Sequence, residues 1–378
     1  MKKLAIIITH PIQYFSPLFK LLAERNKIRI KVFYTWEQSK EKVYDKKFGK
    51  EIKWDIPLLE GYDYTFVKNI SKNPNSGSFN GVVNPTLNKE IESWNADAIL
   101  VFGWNHHSHF KAMRYFKGKI PVYFRGDSTL IDEVAGVKTI LRRIWLKFVY
   151  RYIDFAFYVG QNNKNYFIKH GLKDSQLIFA PHAIDNNRFE DKNKNYQKLS
   201  DIFRKKLRIN EKDTVFLFAG KFEQKKNPLL LIEVAKFFPD YKFLFIGNGE
   251  LEQQMKQQAG KNVLFLPFQN QSLMPVMYRL GDVFVLPSAY NETWGLAVNE
   301  AMACGKAILV SDKVGCAVDL VKNNENGFIF KSGNNNDLNE KLALFKNNYN
   351  NFGQTSLNII KNWSFIETVK ITEQKINE

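Results

Sequence analysis

The sequence predicts an α/β protein built from two doubly wound, Rossmann-like domains facing across a cleft. Three observations predict it: a length of 378 residues, two successive series of short apolar runs, and a charged tract that interrupts them. The length is more than twice the common single-domain size, so two cores are expected. In the first series stand LAIIIT (4–9), IRIKVFY (28–34), AILVFG (98–103), PVYFRG (121–126), FAFYVG (155–160) and LIFAP (177–181). Runs that are apolar throughout suit strands buried on both faces of a parallel sheet, and the amphipathic stretches between them supply helical crossovers. The second series has TVFLFAG (214–220), KFLFIG (242–247), VLFLP (263–267), VFVLPS (283–288) and AILVS (307–311).

Residues 191–212, charged and poor in β-branched side chains, read as a linker or a short exposed helix. The expected domains are therefore 1–190 and 213–360, with a C-terminal helix over 361–378 that is a candidate to pack back on the first. The Asn-rich tract NNENGFIFKSGNNND (323–337) reads as a surface loop. Sheets of this kind bind ligands at the carboxyl ends of their strands. Functional residues are thus expected just after the apolar runs.

A hydrophobic content of 44% with 15% aromatic residues argues against disorder. Cys304 and Cys316 are too few for a disulfide framework and have no Cys or His companion at zinc spacing, so a reducing compartment is expected. The N-terminal apolar run is too short for a signal peptide or a membrane span and reads as a first strand. A net charge of +17 calls for an anionic partner: nucleic acid, a phosphorylated small molecule or anionic lipid. No RNA-binding aromatic signature, zinc finger or basic coiled-coil region is present, which sets nucleic acid aside.

The stretch NETWGLAVNE places Glu292 on a turn and Glu300 eight residues later, inside a helical pattern that ends at Gly305. The helix start near Gly295 and Leu296 offers backbone N–H groups to a diphosphate. A carboxylate at Glu300 can accept both hydroxyls of a ribose, and Glu292 would meet a third part of the same ligand. Read singly, each glutamate is better taken as a solvated side chain; the surrounding pattern is what favours a ligand. After the strand TVFLFAG, Lys221 and Lys226 can neutralise a departing diphosphate without a metal, or form an ordinary solvated turn. Gly247 and Gly249 in LFIGNGEL lack the third glycine of a dinucleotide fingerprint.

The segment PSAYNETWGLAVNEAMACGKAIL resembles the donor-binding signature of the retaining glycosyltransferases of family 4 (group 1), which have the GT-B fold. The resemblance implies that Glu292 lies by the donor sugar and that Glu300 holds the nucleotide ribose. Thr293, Trp294, Gly295 and Leu296 would line the same turn. FAGKFEQKKNP is similar to the family's diphosphate-gripping element, with Gly220 before it, Lys221 at the usual arginine position and Lys226 at the usual lysine. Gly247 and Gly249 fall where the family passes a nucleotide base. IFAPHAIDNNRF (178–189) is similar to the interdomain segment.

The first half departs more. THPIQYFSP replaces a Gly-rich loop, leaving His10 and Gln13 as polar contacts or as parts of a structural loop, and Arg125-Gly126-Asp127 stands where the family often has a histidine. Arg125 would then aid phosphate or sugar binding and Asp127 orient a hydroxyl. WNHHSHF, with His106, His107 and His109, reads as an acceptor-side loop rather than a metal site. The resemblance implies a UDP- or GDP-type sugar donor, no metal or other cofactor, and a hydroxyl acceptor such as a lipid-linked glycan. It further implies a role in bacterial surface polysaccharide or glycolipid synthesis, in the cytoplasm or peripherally at the inner face of the membrane. Rival readings are an epimerase or phosphorylase on the same fold and an inactive nucleotide-sugar-binding scaffold.

One further stretch, VKTILRRIWLKFVYRY (137–152), alternates basic and large apolar groups. As a helix it sets Ile140, Ile144, Phe148 and Tyr152 in a stripe flanked by Arg142, Arg143, Lys147 and Arg151. Such a helix suits an anionic membrane surface, or equally a packed helix with a basic outer face.

Overall fold

A computed structural model of the protein describes residues 1–37, 43–45, 50–52, 54–346 and 351–378. The chain divides into two compact units, the first comprising Met1–Val43, Pro57–His182 and Phe365–Glu378, the second Tyr44–Ile56 and Ala183–Ser364.

The first unit is built on a seven-stranded sheet. In chain order its strands are β1 (Lys3–Ile8), β2 (Arg29–Tyr34), β5 (Tyr64–Phe66), β6 (Ala98–Phe102), β7 (Val122–Arg125), β8 (Phe155–Tyr158) and β9 (Leu177–Phe179); the intervening β3 (Val43–Asp45) and β4 (Lys50–Ile52) form a separate two-stranded sheet. All neighbouring pairs in the order β5-β2-β1-β6-β7-β8-β9 run parallel. The central strands are largely apolar, as suits a sheet buried on both faces; Ile7, Phe33, Ile99, Val101 and Phe124 join Leu146 and Val149 of the helix Val137–Tyr150 in one core.

The second unit carries β10 (Val215–Ala219), β11 (Lys242–Ile246), β12 (Val263–Leu266), β13 (Val283–Leu286), β14 (Ala307–Ser311) and β15 (Gly327–Phe330), again all parallel, in the order β12-β11-β10-β13-β14-β15. Each sheet grows outward in both directions from its first strand. The direction of winding therefore reverses beside β1 and β6 in one unit and beside β10 and β13 in the other, and a crevice opens at such a switch point.

Two parts of the sequence expectation change. Residues 183–212 are integrated into the second unit rather than forming a separate linker. The tract is fastened to the unit through backbone carbonyls: Arg204 of the helix Asn195–Lys206 donates to Leu280 O at 2.8 Å and Asp213 O at 3.2 Å, and Arg279, from the later chain, donates to Phe189 O at 2.7 Å. The tract 323–337 is not wholly a loop, since its GFIF core forms β15 against β14. Its shortness and Asn flanks hide it, and a Cβ at Gly327 would stand 1.9 Å from Ile308 O, so the strand needs a glycine where strands seldom have one. Residues 365–377 form a helix of the first unit. There Arg25 holds Glu373 through two hydrogen bonds of 2.9 Å, Tyr123 donates to Lys375 O, and Thr368 donates to Pro181 O.

Candidate active site

In the second unit the loops leaving β10 and β13 meet at the switch point. Ala289 N donates to Lys225 O at 2.8 Å, tying the turn of Gln224–Lys226 to the segment before Glu292. This brings Lys226 Nζ into direct contact with Glu292 Oε2, an ion pair that is mostly buried; Ser288 Oγ donates to the same oxygen at 3.1 Å. The two residues the sequence assigned to separate parts of a ligand thus neutralise each other.

Behind this loop, Gly315 N donates to Glu292 O and Cys316 N to Trp294 O, each at 2.9 Å, so the segment after β14 braces the turn. Gly295 ends the turn at φ +96°, where a Cβ would press on Val314 and Leu286 at 3.0 and 3.1 Å. The helix Leu296–Ala303 starts there with no side chain capping it. Its first turn presents backbone donors and the positive end of the helix dipole. Trp294 is buried, with its indole donating to Asn299 Oδ1 at 2.9 Å and its ring centroid 5.2 Å from that of Trp363, so it anchors the turn rather than offering a face to a ligand. Thr293 is half-buried beside it.

Glu300 lies inside the helix and is 3% exposed. Burial pushes its carboxyl above the usual carboxylate range, while a hydrogen bond from Tyr278 and the charge of Arg188 work against that shift. Tyr278 Oη donates to Oε2 at 2.6 Å, and Arg188 approaches Oε1 at 3.8 Å while donating to Gln271 at 2.8 Å. Glu300 Oε1 and Arg188 Nε are both buried without a hydrogen-bond partner among the described residues. An acceptor and a donor left open side by side in a buried site are the complement of a polyhydroxyl ligand.

Lys221, half-buried, follows Gly220 on the loop after β10. The turn 247–249 lies directly along this loop, with Phe222 N donating to Asn248 O at 3.0 Å. A Cβ at Gly247 would fall 1.9 Å from Gly220 O, and one at Gly249 would fall 2.5 Å from Phe222 O. These glycines are required first by backbone packing.

In the first unit the loop after β1 carries His10 and Gln13, both half-buried. His10 Nδ1 is 2.9 Å from Thr9 Oγ1, and burial, aided by His106, lowers its pKa to about 4. His106 and His109 have ring centroids 5.1 Å apart. His109 bridges Thr35 Oγ1 at 2.9 Å and the carbonyls of Phe102 and Gly103 at 3.0 Å, and burial first, with His106 second, lowers its pKa to about 3. Among the described residues no group of three or more His, Cys, Asp or Glu could hold a metal. Arg125 is buried at the end of β7 and donates to Ala180 O and Pro181 O at 3.1 Å, so its guanidinium fastens the segment before His182. Burial lowers its pKa to about 10 against the pull of Asp127, which lies half-buried nearby.

Solved structures share this architecture. A glycosyltransferase from Rickettsia africae superposes with a TM-score of 0.73 at 13% identity, over 100% of this chain and 99% of that one. An Anabaena protein, HepE, in complex with UDP and glucose superposes with a TM-score of 0.71 at 18% identity, again over 100% and 99%. The fold is GT-B. Within this GT-B chain, residues 200–362 match the family model described as glycosyl transferases group 1. That span takes in the Glu292, Glu300, Lys221 and Lys226 constellation. Among curated proteins, an Escherichia coli UDP-Gal:α-D-GlcNAc-diphosphoundecaprenol α-1,3-galactosyltransferase is 29% identical over 57% of this chain and 59% of its own length. A Campylobacter jejuni N,N'-diacetylbacillosaminyl-diphospho-undecaprenol α-1,3-N-acetylgalactosaminyltransferase is 27% identical over 56% and 55%. The GT-B chain thus spans little more than half the length of these relatives.

The sequence missed Arg188, Gln271, Tyr278 and Ser288. A buried tyrosine needs a partner for its hydroxyl, and Tyr278 in an otherwise apolar helical segment was the available signal.

Proposed function

We propose that this protein is a retaining, metal-independent glycosyltransferase of family 4. It moves a sugar from a UDP- or GDP-type nucleotide sugar to a hydroxyl acceptor. The observation that carries the reading is the open oxygen of buried Glu300, beside an uncapped helix start and a lysine held in reserve at the same switch point. The ribose diol would donate to Glu300 Oε1, removing an unsatisfied buried acceptor. The diphosphate would draw Lys226 from Glu292 and lie at the Gly295–Leu296 N-terminus, with Lys221 as a second cation. Glu292, released from the ion pair, would then accept a hydroxyl of the donor sugar.

Residues of the β1/β6 switch point, including His10 and Gln13, would serve the acceptor. The match to the group 1 family and the names of the relatives support a lipid-linked acceptor in surface polysaccharide or glycolipid synthesis. In this reading the enzyme works in the cytoplasm, peripherally on the membrane.

Thermal unfolding measured against UDP, GDP and their sugar conjugates, without added metal, tests the proposal. One diphosphate series should raise the transition saturably, and Glu300→Ala should weaken that binding by about 1–3 kcal/mol. No shift with any of them, or an undiminished shift in the variant, overturns the donor site.

A further inference from the structure

The helix Val137–Tyr150 has two apolar faces, and among the described residues only one is packed. Leu146, Val149 and Tyr150 are buried in the core of the first unit. Val137, Ile140, Leu141, Ile144 and Trp145, spaced at i, i+3, i+4, i+7 and i+8, form the opposite stripe and are all exposed, Val137 to 73%, Leu141 to 61% and Ile144 to 62%. Val134, 78% exposed, extends the stripe before the helix. A contiguous apolar strip of this size marks an interaction surface.

At its C-terminal end the strip runs into a cluster of rings. Trp145, Phe148, Tyr152 and Phe110 form a cluster whose contacting rings have centroids 5.5–6.3 Å apart. Arg114 lies 5.7 Å over Phe110, and Arg151 lies 5.3 Å over Phe148 and 5.4 Å over Tyr152. Lys138 and Lys147 are exposed on either side of the stripe. No acidic residue occurs in the helix, and the nearby Glu133 is paired with Arg143. Aromatic rings capped by arginines, beside aliphatic side chains flanked by lysines, match the boundary between acyl chains and anionic headgroups. A second copy of this face would instead bring like charges together.

We propose that the Val137–Tyr150 helix lies in the plane of an anionic lipid bilayer, with Val137, Ile140, Leu141, Ile144 and Trp145 inserted among the acyl chains. Lys138, Lys147, Arg114 and Arg151 contact the headgroup phosphates. The proposal deepens the membrane-partner part of the reading above, and the two can fail separately.

The test is co-sedimentation of the full chain with phosphatidylcholine vesicles carrying about one-third phosphatidylglycerol, against pure phosphatidylcholine, at low and high salt. Binding should be at least about tenfold stronger to the anionic vesicles and weaken with salt. Leu141→Glu/Ile144→Glu, which alters only exposed side chains, should lower it by about tenfold or more, and Lys138→Glu/Lys147→Glu should do so even if the first variant folds poorly. Equal binding to both vesicles, unchanged binding by both variants, or self-association through this face without vesicle binding overturns the proposal. A nucleotide-induced thermal shift that persists without vesicle binding removes the docking alone; vesicle binding without any nucleotide shift removes the transfer reading alone.

Discussion

Glu292 and Lys226 occupy each other, and that pairing has a measurable sign. In the proposed donor site a lysine held by a carboxylate must give up that contact before it can grip a diphosphate, so the pair would oppose nucleotide binding and be regained when the diphosphate leaves. Glu292→Gln should therefore tighten binding of the free nucleoside diphosphate severalfold, because Lys226 is no longer neutralised. Sugar transfer should fall by about a hundredfold, the scale for losing one charged group that acts on the reacting centre. Calorimetric titration and an initial-rate assay would read the two effects; weaker diphosphate binding in the variant would refute the reserve-lysine picture. Glu300, Glu292 and the two lysines were legible in the sequence because they lie close to glycines and strand ends that fix their place. Their pairing was not, since Lys226 and Glu292 are 66 residues apart and meet only through the parallel pairing of β10 and β13. Arg188 was hidden for a similar reason: it stands in IFAPHAIDNNRF, read only as an interdomain segment, and meets Glu300 from 112 residues away in the chain.

At the level of elements, the turn into the helix Leu296–Ala303 depends on a backbone shape that one residue supplies. Gly295→Ala must hold an L-residue at positive φ while its methyl group meets Val314 and Leu286. The substitution should cost about 1–2 kcal/mol in urea-induced unfolding and misplace the first helical turn. A variant as stable as the parent with unaltered nucleotide binding would show that the turn is not constrained. Eleven strands could be read from apolar runs, since a strand buried on both faces leaves an unmistakable pattern. Two of the four missed ones fail for identifiable reasons. Residues 64–66 of β5 are half-buried or exposed on an edge, and β15 is short, set among asparagines and begun by a glycine. The helix 137–150 was misread in one respect, because the sequence suggested one stripe through Phe148 and Tyr152. The fold half-buries those two and leaves Leu141 and Trp145 outside.

For the whole molecule, the histidines are unevenly placed: all six, at positions 10, 106, 107, 109, 170 and 182, lie in the first unit. His10 is held to about 4, and His109 and His182 to about 3, chiefly by burial, with His106 and Arg125 adding to it. The unfolded chain takes up these protons near pH 6.5, whereas the folded unit refuses them until far lower pH. Stability should thus decline as pH falls below about 6.5, and the decline should belong to the first unit. In the second, buried Glu300 has the opposite sign, because its raised pKa makes the folded state the better proton acceptor as acidity increases. Hydrogen exchange compared at neutral pH and near pH 5, corrected for intrinsic rates, should show protection lost first across β1, β6 and β7. Uniform loss in both units would rule out the histidine account.

The first unit also draws its chain from three separated pieces, the last being residues 365–378 with buried Val369 and Ile376 and the Glu373 contact to Arg25. During synthesis it must therefore wait, with its sheet already outside the ribosome, until the entire second unit has been made. The N-terminal unit is the last to be completed. A chaperone that shields the seven-stranded sheet through that interval, or a premature stop within the closing helix, would act on the unit farthest away in the message.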